Sequence, residues 1–189
     1  MPIYTARLIL RNYVPNDYEP LRELDSDPAV FRYRSRTYIS PDMTRTFLRQ
    51  AQQSVQDDPR TFYAYVVVRS DTGEWLGQCG LTVLSSDPTS AFAWYSLLPK
   101  YWGQGYMTEA VHTLLYAGAT EFKLHQIFAE CHPQNQASIR VMQKAGLQYQ
   151  GDDQIDNSTR KTEERVRYGL TGSELKRLPG KNIRIEPPI

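Results

Sequence analysis

A glycine-containing turn that leads directly into a helical segment is the part of this sequence best suited to binding an anion. Residues 97–110 (LLPKYWGQGYMTEA) pass from an apolar run through Gly103 and Gly105 into a segment with helical periodicity. Glycines let the backbone turn tightly and approach a ligand, and the first amides of a helix have no internal partner. The junction therefore predicts a site for a phosphate or pyrophosphate group, with an ordinary tight turn as the plainer alternative.

The turn differs from two common phosphate-binding loops. It does not end in the Gly-Lys-Ser/Thr of a Walker loop, and Gly103-x-Gly105 lacks the third glycine of a dinucleotide fingerprint. The kind of ligand must therefore be inferred from the surrounding residues.

The cysteines and histidines do not form a recognisable reactive or metal-binding group. Cys79 and Cys131 lie far apart, each in an apolar strand-like run, which favours buried, reduced thiols over a disulfide framework. His132 follows Cys131, but the sequence contains only 3 histidines and no spaced partner, so we expect no metal site.

Size and charge narrow the class of protein. The 189 residues fit one domain, which we assign to residues 1–178 with a proline-containing tail at 179–189, although length alone leaves two small domains open. The 22 basic and 21 acidic residues nearly cancel, so no overall field would gather nucleic acid or a membrane surface. Without a signal-like amino terminus or a bilayer-length apolar stretch, a cytoplasmic protein is expected, and an oligomer stays open.

The first half of the chain alternates between strand and helix signals. Residues 4–11 predict a first strand, and a short helix should follow through about Leu24. Ser40, Pro41 and Asp42 are typical of a helix start, and that helix should end near residues 57–59. Strand-like runs at 62–69, 74–81 and 90–97, separated by turn residues, then predict an antiparallel meander.

The second half shows a strand-helix-strand-helix order. Apolar residues recur at helical spacing after Gly105, residues 126–131 indicate a short buried strand, and Asn135 to Lys144 indicate a helix stopped by Gly146. Runs at 147–150 and 165–170 should complete the sheet, with the polar stretch 152–164 between them. This order predicts a mixed α/β fold in which a parallel or mixed element joins the meander.

Several of these segments resemble the GNAT N-acetyltransferase superfamily. Residues 100–105 (KYWGQG) resemble its acetyl-CoA motif, Arg/Gln-x-x-Gly-x-Gly/Ala, with Lys100 in the Arg/Gln position. Residues 132–147 (HPQNQASIRVMQKAGL) resemble the second signature of the branch that acetylates ribosomal-protein amino termini, the RimJ/RimL-like branch. Residues 5–11 (TARLILR) are similar to the first strand of that branch, so the resemblance covers about residues 4–170.

The resemblance implies a fold, an activity and a set of cofactor contacts. The fold would be a mixed sheet flanked by helices, whose fourth and fifth strands, here 90–97 and 126–131, splay apart to admit pantetheine. The activity would be transfer of an acetyl group from acetyl-CoA to a primary amine of a protein amino terminus or a small molecule. The implied cofactor-binding residues are Leu97, Lys100, Trp102, Gly103, Gln104, Gly105, Tyr106, Met107, Asn135 and Ser138.

The resemblance also gives candidates for proton transfer. Many relatives use a tyrosine farther along the second helix to protonate the leaving thiolate, but Met142 occupies the corresponding region, so Ser138 becomes the candidate donor. Plainer alternatives exist, because Asn135 is also a good helix cap and Ser138 could be an ordinary helical residue. Glu109 is more simply explained as a structural acid near the helix start.

The general base differs from the usual pattern. The related branch often places a glutamate on the fourth strand, where this chain has Phe92. Glu130, at the end of the predicted fifth strand, is the alternative carboxylate. A lysine amine with a pKa of about 10.4 is only about 0.1% neutral near pH 7.5, whereas an α-amine with a pKa near 8 is about a quarter neutral. An acceptor of low pKa therefore needs less help from a base.

The acceptor is not identified by the sequence. Five aromatic residues could line its pocket, although core packing is the plainer role: Phe31, Tyr33, Tyr38, Trp94 and Tyr95. Arg32, Arg34 and Arg36 could attract an acidic acceptor or simply be solvated. Three functions stay open at this point: the acetyltransferase, a catalytically weak acyl-CoA-binding module, and a structural protein whose glycine turn binds nothing.

Overall fold

The computed structural model of the chain describes residues 1–33, 39–157, 161–180 and 182–187. These residues form nine strands, six α-helices and three short 3-10 helices. The strands are β1 Ile3–Tyr4, β2 Leu8–Arg11, β3 Phe62–Arg69, β4 Trp75–Leu84, β5 Asp87–Leu97, β6 Gln126–Cys131, β7 Gln148–Asn157, β8 Lys161–Thr171 and β9 Arg184–Ile185. The helices are α1 Tyr18–Ser26, α2 Pro28–Phe31, α3 Pro41–Gln53, α4 Tyr106–Thr120, α5 Gln136–Ala145 and α6 Gly172–Lys176. Within the described ranges, no helix has both the length and the apolar character needed to cross a membrane.

All strands lie in one open, mixed sheet with the order β7-β8-β6-β5-β4-β3-β2-β1-β9. Neighbouring strands are antiparallel except for β5 and β6, which are parallel and connected through α4. A parallel pair needs such a crossover, whereas β3, β4 and β5 form the predicted meander with short turns. The predicted mixed sheet flanked by helices is confirmed.

The two parallel strands separate after a short paired stretch. Ser90 to Phe92 on β5 pair with Gln126 to Phe128 on β6, and no pair between these two strands follows in the described residues. Beyond this point β6 continues to pair with β8, and β5 continues to pair with β4. The remaining halves of β5 and β6 thus border an open slot, which matches the splay that the resemblance implied.

The two faces of the sheet are covered by different helices. Side chains of Gln78, Phe92 and Trp94 share the side on which α3 lies, since the rings of Trp94 and Phe47 of α3 are 5.8 Å apart. We call this side the α3 face. The opposite side, the α4 face, carries Leu81 and Tyr95.

The amino-terminal strand and the last hairpin differ from the sequence predictions. The expected strand at 4–11 is divided into β1 and β2, which pair with each other because the amide of Thr5 donates to the carbonyl of Leu8 and turns the chain. The polar stretch 152–164, predicted as a separator, belongs largely to β7 and β8. Its composition resembles a loop, but two long strands can satisfy their backbone groups by pairing with each other.

The predicted helix starts agree well with the structure. Ser40 caps α3 by accepting a hydrogen bond from the amide of Met43 at 3.2 Å. The helix ends at Gln53, earlier than expected, because the chain tightens into a 3-10 turn through Gln56. At the end of α5, Gly146 adopts a left-handed φ of 107°, as its predicted role as a helix stop requires.

The segment after α6 returns to the body of the protein. Ile185 and Arg184 of β9 pair with Ile3 and Tyr4 of β1 at the edge of the sheet. The ring nitrogens of His112, on α4, lie 3.1 Å from the carbonyl oxygen of Ala145 and 2.9 Å from that of Pro179. The histidine thus joins α4 to the end of α5 and to the segment that leads to β9.

Candidate active site

Helix α4 begins without the side-chain cap bond found at the starts of α2, α3 and α5. Its N-cap residue is Gly105, which has a left-handed φ of 79° and no side chain to accept a hydrogen bond from the first turn. The first helical bond runs from the amide of Glu109 to the carbonyl of Gly105 at 3.1 Å. The amides at 106–108 therefore have no intrahelical acceptor and form a positive concavity for an anion.

Glycine is required on both sides of Gln104. Gly103 has a φ of 76°, and a side chain there or at Gly105 would be strained in the left-handed region. A Cβ on Gly105 would lie 3.5 Å from Nη2 of Arg7, so space itself is not the limit. The two left-handed residues bend the chain so that the start of α4 opens toward the slot between β5 and β6.

Arg7 braces this turn, a role that the sequence analysis missed. Its Nη1 donates to the carbonyl of Gln104 at 3.1 Å, and its Nε donates to Oε2 of Glu109 at 2.7 Å. Glu109 also accepts a hydrogen bond from the hydroxyl of Thr5 at 2.6 Å. Glu109 is therefore held in a structural network, as predicted, and Arg7 adds positive charge beside the open amides.

The residues between β5 and α4 divide into two groups. Trp102 donates from its indole nitrogen to the carbonyl of Leu97 at 2.7 Å, and both residues line a large cavity, as do Gly103, Gly105, Tyr106 and Met107. Lys100 and Gln104 are not among the described lining residues. Nζ of Lys100 lies 3.5 Å from Oε1 of Glu23, and the Gln104 side chain donates to the carbonyl of Lys100 at 3.2 Å, so both support the outer side of the turn.

Asn135 and Ser138 come together at the start of α5. Oδ1 of Asn135 accepts the amide hydrogen of Ser138 at 3.1 Å, so the predicted cap is formed. Both residues also line the cavity. The cap fixes the first turn of α5 and directs the hydroxyl of Ser138 toward the slot.

The partner of Ser138 is Tyr95 on β5. The Tyr95 hydroxyl lies 2.7 Å from Oγ of Ser138 and 3.2 Å from its carbonyl oxygen. Burial raises the pKa of Tyr95 well above its usual value, while the hydrogen bond with Ser138 opposes the rise. Tyr95 therefore stays a neutral hydroxyl that can donate to Ser138. Sequence analysis had considered Tyr95 only as a wall residue, because a contact between two distant elements leaves no spacing signal.

Cys131 lies at the same end of the slot but is not activated. It is free, 6% exposed, and burial raises the pKa of its thiol. Cys79 is likewise free and buried, with its pKa raised by burial. The prediction of two free, buried thiols is confirmed, and neither has the lowered pKa expected of a nucleophile.

Phe92 and Glu130 lie on the α3 face. The ring of Phe92 meets that of Phe128 edge to face at 5.5 Å, where the strands still pair. Two residues farther along β6, Oε1 of Glu130 accepts hydrogen bonds from Arg167 of β8 at 2.7 Å. The Glu130 side chain is only 8% exposed, and the residue lines the cavity. Since Cys131 and Ser138 lie on the α4 face, Glu130 and Ser138 flank β6 from opposite sides.

Aromatic side chains line the cavity on the α3 face. The ring centroid of Phe47 lies 5.8 Å from that of Trp94 and 6.0 Å from that of Phe62, in edge-to-face geometry. The rings of Trp94 and Phe62 stack with their centroids 5.7 Å apart. Of the aromatic residues predicted for an acceptor wall, Trp94 lies here, Phe31 is buried, and Tyr33 stacks on His132. Tyr38, Arg34 and Arg36 lie outside the described residues.

One cavity of about 1640 Å³ connects both faces through the slot. Its lining includes Gln78, Phe47 and Trp94 from the α3 face, and Tyr95 and Ser138 from the α4 face. Pockets for one small molecule usually measure about 300–1000 Å³. The larger volume and the two polar ends suit a site for two ligands, one held by the α4 amides and one among the aromatic rings.

Comparison with known proteins also indicates an acetyltransferase. An acetyltransferase (GNAT) domain model matches residues 7–148. The chain is 30% identical over 151 residues to an uncharacterized N-acetyltransferase, p20, of Bacillus licheniformis, and the match covers 79% of this chain and 83% of that protein.

Solved structures share the fold along most of the chain. A GNAT-family acetyltransferase from Bacillus anthracis is 25% identical with a TM-score of 0.77, covering 90% of this chain and 98% of that one. RimL, a ribosomal L7/L12 α-N-protein acetyltransferase solved with coenzyme A, is 17% identical with a TM-score of 0.74, covering 92% and 99%. The match to the family model and the 30% identity to p20 agree with the site, where the uncapped start of α4 lies beside a splayed pair of strands. This chain therefore belongs to the acetyltransferase (GNAT) family.

Proposed function

We propose that the protein transfers an acetyl group from acetyl-CoA to a primary amine, as an enzyme of the RimJ/RimL-like branch. The observation that carries the proposal is the uncapped start of α4 beside the slot between β5 and β6. The amides at 106–108 suit the pyrophosphate of the cosubstrate, and Arg7 adds charge next to them. The branch assignment is supported by residues 132–147 and by the Asn135 cap, which orients Ser138.

The pantetheine arm would lie along the slot from α4 toward Ser138. In the described residues, Ala93 to Tyr95 of β5 pair with no residue of β6, so backbone groups there that face the slot are open to the arm and to the thioester. The Leu97 carbonyl already accepts one hydrogen bond from Trp102, and its second lone pair remains for a pantetheine amide. Trp102 would thereby fix the edge against which the arm lies.

The chemical step needs one proton removed and one supplied. The neutral amine attacks the thioester carbonyl, the carbon–sulfur bond breaks, and the products are the acetylated amine and the thiol of CoA. Ser138 would donate a hydrogen bond to the departing thiolate, which then takes a proton from solvent, while Tyr95 orients Oγ of Ser138 through the hydrogen bond between the two hydroxyls. Backbone amides of β5 would stabilise the negative charge that develops on the carbonyl oxygen.

Glu130 is the carboxylate proposed to receive the proton of the amine, directly or through a water. It lies on the α3 face, where the aromatic rings form the proposed acceptor wall, and one of its oxygens is held by Arg167. On β5, Phe92 occupies the position where the related branch often has a glutamate, and its ring packs on Phe128. The acid would thus act from β6 rather than β5. Because about a quarter of an α-amine is neutral near pH 7.5, against about 0.1% of a lysine side chain, this arrangement favours α-amines over lysine side chains.

The test measures binding and turnover separately. Acetyl-CoA binding is measured by calorimetry, and CoA release is then followed with a panel of peptides with free amino termini, polyamines and small amines. We expect binding together with acceptor-dependent release. Binding without release from any acceptor would favour an acyl-CoA-binding module, and absence of binding would contradict the assigned loop.

A further inference from the structure

The segment that follows α6 has no role in the proposed chemistry, although it lies beside the proposed cosubstrate site. Residues 178–180 and 182–187, which we call the C-terminal strap, pass α4 and reach the edge of the sheet, where β9 pairs with β1. Near the start of the strap, the carbonyl oxygen of Pro179 lies 2.9 Å from Nε2 of His112 on α4. The strap is thus attached to the body of the protein at both ends.

Between these ends, the strap borders the cavity. The amide of Ile183 donates to the carbonyl of Gly180 at 3.1 Å and closes a turn, in which Asn182 adopts a left-handed φ of 64°. Asparagine tolerates this conformation better than most residues do. Asn182 and Ile183 both line the cavity. The turn therefore brings a residue with a carboxamide and a residue with an apolar side chain to the cavity wall.

The part of the cavity beside the strap is not used by the pantetheine arm. Along α4 the lining continues from Gly105 to Glu109 and His112, which share one side of the helix because they are three or four positions apart. Seven positions along an α-helix correspond to about 10 Å. The glycine turn thus lies between two extensions of the cavity: the slot toward Ser138, and a groove along α4 that reaches the strap. We call the second extension the α4 groove.

The α4 groove suits a group that carries negative charge. Nδ1 of His112 lies 3.1 Å from the carbonyl oxygen of Ala145, which places the end of α5 beside the groove. Arg140 and Lys144 of α5 also line the cavity, and residues four positions apart lie on the same side of a helix. The groove therefore has cationic side chains on α5, and the carboxamide of Asn182 on the strap.

Acetyl-CoA has the same two-sided plan, because its pyrophosphate joins the pantetheine arm to an adenosine that carries a further phosphate. We propose that the C-terminal strap recognises the adenine of this cosubstrate: the carboxamide of Asn182 accepts a hydrogen bond from the exocyclic amino group, and Ile183 packs against the ring. A carboxamide matches an adenine edge, since each carries a donor beside an acceptor. This proposal rests on the proposed function and assigns residues to the nucleotide end of the same site.

The experiment compares CoA with etheno-CoA, in which a two-carbon bridge removes the hydrogens of the exocyclic amino group and leaves the phosphates and the pantetheine arm unchanged. Calorimetry gives Kd for both ligands with the wild-type protein and with Asn182→Gly, which removes the carboxamide and tolerates the left-handed φ. We expect the wild-type protein to bind CoA about 3- to 10-fold more tightly than etheno-CoA. Asn182→Gly should reduce this preference to less than about 2-fold.

The matched control is Lys123→Gly, which also replaces a residue of left-handed φ, 55°, by glycine. Lys123 follows α4 and is not among the described residues that line the cavity. Lys123→Gly should therefore leave the Kd values of both ligands unchanged, and the midpoint of denaturant unfolding shows that each variant keeps its fold.

Equal binding of the two ligands by the wild-type protein would overturn the proposal, and this comparison needs no substitution. An unchanged preference in Asn182→Gly would also overturn it, as would equal losses of affinity for both ligands, which would show that the strap acts only through the fold. Failure of the proposed function gives a different result. A wild-type protein that binds neither ligand contradicts both proposals, whereas binding with the expected preference but without acceptor-dependent release of CoA contradicts only the transfer reaction.

Discussion

The hydroxyl of Tyr95 lies 2.7 Å from Oγ of Ser138, so β5 and α5 meet at the slot through two side-chain hydroxyls. A second hydroxyl that is hydrogen-bonded to Ser138 orients and polarises its O–H group, which strengthens the hydrogen bond that Ser138 can give to the departing sulfur. Tyr95 does not itself need to contact the sulfur in this arrangement. It acts as a positioning residue that orients Ser138.

Ser138→Ala should therefore lower kcat by about 10- to 100-fold while acetyl-CoA binding changes little, because the hydroxyl acts mainly when the sulfur departs. Tyr95→Phe should lower kcat about 3- to 10-fold. The double variant should be no slower than Ser138→Ala, since Tyr95 acts through Ser138. Steady-state kinetics and calorimetry measure both quantities. Additive losses would show that the two hydroxyls act independently.

Gly105→Glu should raise the Kd for acetyl-CoA at least about 10-fold, because a carboxylate beside the open amides repels phosphate. The matched control is Gly73→Glu in the turn between β3 and β4. Gly73 has a similar φ of 72°, and a Cβ there meets nothing within 4 Å. Both changes should lower the free energy of unfolding by about 1–2 kcal/mol, and Gly73→Glu should leave Kd unchanged. Equal Kd values for the two variants would contradict the assigned phosphate site.

The effect of Glu130→Gln should depend on the acceptor. For an amine with a pKa near 8 the loss in kcat/KM should be about 10-fold or less, and for an amine with a pKa near 10.4 it should be larger, because the ammonium must then lose its proton on the enzyme. A series of acceptors with increasing amine pKa, measured at one pH, checks this trend. Arg167→Met is the control for the ion pair, since it removes the partner and keeps the carboxylate. The same loss across the series would assign Glu130 a structural role.

Stability should fall at alkaline pH. Burial raises the pKa values of Tyr13, Tyr95 and Cys79 in the folded protein. The unfolded chain therefore releases these protons first, from about pH 8.5 for the cysteine and about pH 10 for the tyrosines. Each group lowers the free energy of unfolding by about 1.4 kcal/mol per pH unit until its folded-state pKa is reached. Denaturant unfolding between pH 7 and 11 measures the slope, which Tyr95→Phe should reduce. An unchanged slope in that variant would contradict the role of Tyr95 burial.

The sequence was most informative where the backbone conformation depends on particular residues. Gly105, Ser40 and Asn135 predicted three helix starts, and each lies at the N-cap of its helix. The mixed sheet and its splayed pair followed from the order of elements and from the family resemblance. These features are local, so neighbouring residues carry enough information.

Contacts between distant elements could not be predicted in the same way. The bond from Tyr13 to Gln78 spans 65 positions, and the brace from Arg7 to Gln104 spans 97. Neither leaves a periodic pattern, because each depends on how elements pack rather than on spacing along the chain. The pairing of β7 with β8 was missed for a related reason, since backbone bonds can hold a polar sequence in strands.

The placement of Glu130 and Ser138 on opposite sides of β6 has a consequence for the order of the reaction. The acceptor and the acyl donor would enter from separate sides, so neither has to leave before the other arrives. Cys79 and Cys131 have raised pKa values, so neither thiol is suited to form a covalent acyl-enzyme intermediate. Reciprocal plots of initial velocity should then give intersecting lines, as expected when both substrates are bound together at the moment of transfer.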